Sequence, residues 1–300
     1  MAAGAGQSTM ATIGRETSPW TGAAGFRSMA PATAFYAAFF FVPMLALLVL
    51  SFWEAKGFEL IPTFTLQNYE RIATSALYHT LIVRTVIVGL STACIVVPIA
   101  FVLSYLMRFV FERRGQLILQ LVLLSLFSGY LVRIYAWRTI LGKQGLLNSA
   151  LQYLGLIDQP LTFLIYSNFA VVVTLVGLLL PLAVLPVYSS MANVSRDFLE
   201  VAQDLGARRL YLVRTVLLPM TLPGVGAAFA FSFLLAAGDF VTPALVGGTQ
   251  SIMIGNVIAD QFRGVGANWP LGAALAFVMI VIVMVIYLAA MRLMRWVTRW

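Results

Sequence analysis

Glu200-Val201-Ala202-Gln203-Asp204-Leu205-Gly206, running on through Arg208 and Arg209 to Val216-Leu217-Leu218-Pro219, is the largest charged island between two apolar spans of this chain. Asp197, Glu200 and Asp204 lie there together with Arg196, Arg208, Arg209 and Arg214. Phe198, Leu199, Val201, Ala202 and Leu205 recur among them at helical spacings, which predicts a short amphipathic helix. Gly206 follows the last of these and is placed to end the helix with a left-handed backbone. Such a helix cannot cross a bilayer, but it can lie beneath one and be gripped.

Working outward, 61% hydrophobic and 10% charged residues with a mean hydropathy of +0.94 make a membrane composition. Six apolar stretches each approach the roughly 20 residues that a helix needs to span hydrocarbon. They are Ala32–Trp53, Leu81–Met107, Leu117–Leu141, Phe163–Tyr188, Val225–Val246 and Leu271–Leu293. The expected fold is all-α and polytopic, with six transmembrane helices. Pro43, Pro98, Pro181 and Pro186 fall inside spans, which a bundle tolerates when neighbours re-satisfy the freed carbonyls. Residues 1–31 are rich in Gly, Ala, Ser and Thr and lack the apolar core of a cleavable signal, so they read as a disordered tail. Residues 32–300 form the membrane domain.

The basic residues sort by side. Arg15, Arg27, Arg108, Arg113, Arg114, Arg196, Arg208, Arg209, Arg214, Arg292, Arg295 and Arg299 fall on one side of the membrane, against Lys56, Arg71, Lys143 and Arg263 on the other. This asymmetry places both termini and the Glu200 island in the cytoplasm. It also accounts for the formal charge of +8 without nucleic acid. On the outer side, residues 54–79 carry enough apolar residues to be ordered. The lone Cys94 excludes a disulfide framework, and the lone His79 has no cluster of ligands beside it, so no metal site is expected. No phosphate-binding Gly-x-x-x-x-Gly-Lys-Ser/Thr loop and no Gly-x-Ser-x-Gly elbow occurs. The chain is therefore expected not to be an enzyme, and to need no cofactor of its own.

The ordered spacing of Glu200, Ala202, Gly206 and Val216-Leu217-Leu218-Pro219 resembles the EAA loop of the permease subunits of ABC importers, with Val201 where the family usually has a second Ala. The resemblance implies that residues 191–222 form a cytoplasmic coupling loop, with Glu200, Ala202, Leu205, Gly206 and Arg208 docking into an ATPase subunit that binds the ATP. Leu131–Trp137, Gly145–Asn148, Gly238–Gly248, Ile254–Ile258 and Asn268–Ala274 are similar to the spermidine/putrescine branch of that family, in particular its first permease subunit. This likeness implies a type I importer fold in the bacterial inner membrane. It also implies a pair of ATP-binding subunits, a second and different permease, and a periplasmic substrate-binding protein, with membrane lipid around the spans.

Asp239, in Ala-Gly-Asp-Phe-Val-Thr-Pro of the fifth span, is the one acid inside a span, where a carboxylate costs about 2.5–3.5 kcal/mol at a helix centre. Two readings stand: a counter-charge for a cationic solute, or a structural partner for Arg133 or Arg138. Tyr130, Tyr135 and Trp137 cluster beside those arginines, either as ammonium-binding faces or as an interfacial aromatic belt. The expected substrate pathway is Asp239, Tyr135, Trp137 and Phe240, carrying a polyamine-like cation inward by alternating access. Two alternatives stay open: an ABC permease for another solute (thiamine, ferric ion, sulfate or an amino-acid-derived cation), or an ion-coupled secondary transporter.

Overall fold

The computed structural model describes residues 23–57, 59–195, 197, 200–201, 204, 206–263 and 266–297. The chain divides into two compact units, one ending at Val49 and the other beginning at Leu50. The first holds α1 (Ala23–Leu50), whose run Ala30–Leu50 is long and apolar enough to cross a membrane. The helix begins within the stretch expected to be a tail. Ala23, Ala24, Met29 and Ala30 are good helix formers, and Pro31 and Pro43 are accommodated inside it.

The second unit opens with a small hairpin, β1 (Glu54–Lys56) against β2 (Glu59–Ile61), in the register Glu54↔Ile61, Ala55↔Leu60 and Lys56↔Glu59. It leads into α2 (Gln67–Thr74). The segment is ordered by polar pins. The Asn68 amide donates to Ser51 O at 3.0 Å and Trp53 O at 2.9 Å, and the Ser51 and Tyr69 hydroxyls share a 2.7 Å hydrogen bond.

Next come α3 (Ala76–Tyr105), α4 (Glu112–Leu126), α5 (Tyr130–Leu141), α6 (Leu146–Tyr153) and α7 (Asn168–Ala192). They are followed by α8 (Leu218–Gly238), α9 (Ile254–Arg263) and α10 (Trp269–Val297). Helices α3, α7 and α8 pack together as the centre of the unit. Small residues permit the close approach. A Cβ on Gly224 of α8 would come within 2.3 Å of Pro186 O on α7, and one on Gly226 within 2.6 Å of Met291 on α10. Gly89 of α3 receives the fully buried Phe233 ring. Two buried hydroxyls bond back one helical turn, Thr85 to Leu81 O at 2.8 Å and Thr221 to Leu217 O at 2.7 Å.

Two expected spans are corrected. The third, Leu117–Leu141, is not one helix: it breaks after Leu126, and the two arms are bent by 99°. Ser128-Gly129 has poor helix propensity, and Gly129 turns to an extended ψ of 139° before α5 starts. The 15 residues of α4 extend only about 22 Å, short of the roughly 30 Å hydrocarbon core. Among the described residues five helices are thus individually long and apolar enough to cross, with the bent pair as the sixth element.

The fifth, Val225–Val246, ends early. Helix α8 stops at Gly238, and a second helical stretch starts at Val241. Asp239 sits between them in extended conformation (φ −76°, ψ 127°). At its other end the helical path reaches further than expected, through a wide turn at Val213–Leu217 back to Arg209. The charged island therefore joins the central helix with little intervening loop.

Candidate solute cavity and coupling segment

The break after Gly238 creates the site. A cavity of about 460 Å³ lies there between α5, α7 and α8, walled by leucines: Leu126, then Leu175, Leu178, Leu179 and Leu182 of α7, and Leu234 and Leu235 of α8. Its polar lining is concentrated in Tyr130, Arg133 and Asp239, with Gly238, Phe240 and Val241 completing the wall.

Asp239 is only 8% exposed. Its Oδ1 accepts the backbone N–H of Val241 at 2.8 Å and of Thr242 at 3.3 Å, so it caps the new helical stretch. Its Oδ2 accepts the Tyr130 hydroxyl at 2.7 Å and the Thr242 hydroxyl. A carboxylate has about four lone-pair sites, and all are used. This full shell explains how a charge persists in an apolar wall.

Neither arginine forms an ion pair with Asp239. Arg133 donates from Nη1 to Leu178 O at 3.1 Å, while its buried Nε has no hydrogen-bond partner among the described residues. Arg138 donates to the Tyr166 hydroxyl at 3.4 Å.

Of the four residues assigned to the pathway, Asp239 and Phe240 meet at this cavity. Phe240 is also fixed from behind: its carbonyl accepts the Asn256 amide at 2.7 Å, and the Arg263 guanidinium lies 5.3 Å from its ring centroid. Tyr135 lines a separate concavity with Arg138, Lys143 and Tyr166. Trp137 packs its indole on α7, where a Cβ on Gly177 would come within 2.5 Å of the ring.

Sequence reading did not single out Thr242 or Asn256. The first had a signal in Asp239-Phe-Val-Thr242, the spacing of a helix-capping residue and its third follower. A continuous hydropathy span masks it, because the apolar run carries on through Phe240 and Val241. Asn256 had none, since its partner lies across a turn.

In the coupling segment, Asp197, Glu200, Val201 and Asp204 are helical and exposed. Gly206 turns the chain at φ +81°, the left-handed conformation expected of it, with open space around its Cα. Arg208 is exposed, and its carbonyl accepts Leu212 N at 3.0 Å as the next helix starts. Ala202 and Leu205 lie outside the described residues.

Residues 24–300 match the family described as the binding-protein-dependent transport system inner membrane component. The chain belongs to this family. The permease is 33% identical over 264 residues to the spermidine/putrescine transport system permease protein PotB of Salmonella typhimurium, covering 85% of this chain and 90% of that one. The same identity holds to PotB of Escherichia coli K12, with 94% of the relative covered. The inner membrane ABC transporter permease protein YdcU of Escherichia coli K12 is 31% identical over 266 residues, 83% of each chain. Among solved structures, a chain of a bacterial ABC transporter for import of the acidic polysaccharide alginate superposes with a TM-score of 0.73 at 17% identity, over 91% of the permease and 95% of that chain.

The permease thus has the all-α, polytopic fold of ABC importer permeases and is a multi-pass component of the inner membrane. It is a transport subunit, not an enzyme.

Proposed function

We propose that this permease moves a polyamine-like organic cation of the spermidine/putrescine class inward, as one half of a permease pair in an ATP-driven importer. The observation that carries the reading is the 33% identity to PotB along nearly the whole of both chains. The cavity supports it: its leucine walls suit a methylene chain, and its carboxylate suits an ammonium. Because the Asp239 shell is full, an arriving ammonium takes the place of the Tyr130 hydroxyl on Oδ2. Release restores that bond.

Both termini and the Glu200–Arg208 segment face the cytoplasm, where a pair of ATP-binding subunits grips the segment. The permease holds no cofactor itself. Partial similarity to the permease protein PotC, 32% over 116 residues, supports a second, related permease as its companion. A binding protein delivers the solute from the outer side. Nucleotide drives the cycle only if it binds one conformation more tightly than the other, so the coupling segment shifts between states.

The test is ATP hydrolysis by the reconstituted complex with its binding protein and a solute panel. Putrescine and spermidine are expected to stimulate turnover, and thiamine, ferric ion and sulfate are not. Stimulation by one of the latter alone would replace the solute assignment, and uptake without any ATPase subunit would remove the mechanism.

A further inference from the structure

Two concavities away from the solute cavity share residues and differ in chemistry. The first is a groove of about 500 Å³ between α3 and α7, walled by Val83, Ile87, Val88, Phe169 and Val172. Val83 and Ile87 are more than half exposed. Its lining on α3 runs from Thr80 to Ser91, roughly 16 Å at about 1.5 Å per residue, or half the hydrocarbon thickness of about 30 Å.

Arg84 and Asn168 belong to this groove and also to a second pocket of about 460 Å³, whose other walls are Ser167, Thr249, Gln250 and Ser251 with Tyr166. The second pocket has hydroxyls, amides and one guanidinium, and among the described residues no carboxylate lines either concavity. Helix α7 also starts there, at Asn168, and a helix start favours negative charge.

The pocket is held in shape. Tyr166, the one described non-glycine residue at positive φ (57°), donates its N–H to Val246 O at 2.8 Å. A Cβ on the neighbouring Gly248 would meet Tyr166 Cβ at 2.9 Å. Arg84 places one N–H on Ile252 O at 3.0 Å, which orients a group with five donors.

We propose that this pair of concavities is a binding site for one anionic phospholipid, with an acyl chain in the α3–α7 groove and the phosphate held by Arg84, Asn168 and the hydroxyls of Thr249 and Ser251. An apolar trough that runs about 10 Å along α3 from Arg84 to Ser91 and meets a guanidinium with no carboxylate among its described neighbours matches the phosphate and the first part of an acyl chain of such a lipid. Free phosphate would use the pocket and not the groove. A helix of another protein would use the groove and not the anion-binding chemistry. A cationic solute is excluded by the charge. Basic pockets between transmembrane helices hold lipid headgroups by this chemistry.

The experiment is native mass spectrometry of the intact importer complex, purified and exchanged into nanodiscs of phosphatidylcholine with or without phosphatidylglycerol. The expected result is one retained phosphatidylglycerol per complex. Arg84→Gln, which removes the charge, lowers its retention about tenfold, the equivalent of losing one charge-assisted contact, and Ile87→Trp, which fills the groove and leaves the pocket intact, lowers it to a similar extent by excluding the acyl chain. Inorganic phosphate at millimolar concentration does not displace it. Three results would overturn the proposal: equal retention in both variants, displacement by inorganic phosphate, or disulfide capture of a cysteine at position 87 by the second permease in the assembled complex.

Discussion

Asp239 combines two roles that substitution can separate. In Asp239→Asn the side-chain oxygen still caps Val241 and Thr242, so thermal unfolding in detergent is expected to change by no more than about 1 kcal/mol. The charge is gone, and uptake of a diamine is expected to fall at least about tenfold, one ammonium–carboxylate contact. Tyr130→Phe works in the opposite direction. It removes a donor from Oδ2, at a cost in stability of about 0.5–1.5 kcal/mol, and leaves that oxygen open to the solute. Its apparent KM for putrescine is expected to drop. A raised KM would mean that the hydroxyl itself holds the solute.

At the scale of elements, glycines set how closely α5, α7 and α8 approach. Gly224→Ala places a Cβ against the rigid Pro186 carbonyl and is expected to cost about 1–3 kcal/mol by pushing α8 off α7. Gly177→Ala acts on α5 instead, because the Trp137 ring must move. The same measurement, unfolding of the purified complex, checks both. Gly206 has no such crowding, so its role is conformational. Gly206→Pro cannot take φ +81° and is expected to abolish solute-stimulated ATP hydrolysis while leaving nucleotide binding by the partner intact. Unaltered transport in that variant would dissociate the turn from coupling.

For the whole molecule, the orientation inferred from the arginine asymmetry has a direct readout. A cysteine placed at Asp204, with Cys94 replaced, is expected to react with a membrane-impermeant maleimide only after cells are permeabilised. One placed at Tyr153, 92% exposed at the end of α6, is expected to react in intact cells. The reverse pattern would invert the permease and detach the Glu200 segment from any cytoplasmic ATPase.

The membrane class, the approximate spans, the left-handed turn at Gly206 and the family were legible from the chain because each rests on local composition or on spacing along it. Hydropathy averaged over some 20 residues is insensitive to a two-residue interruption, and so the breaks at Ser128-Gly129 and Asp239-Phe240 were not legible. Those breaks build the cavity. Tyr130 and Asp239 lie 109 residues apart, and only the packing of α5 against α7 and against the helical stretch Pro243–Gly247 brings the hydroxyl onto the carboxylate in place of Arg133 or Arg138. Sequence states which groups must find partners in a medium without water; the tertiary structure chooses the partners, because that choice depends on distance through space and not on separation along the chain.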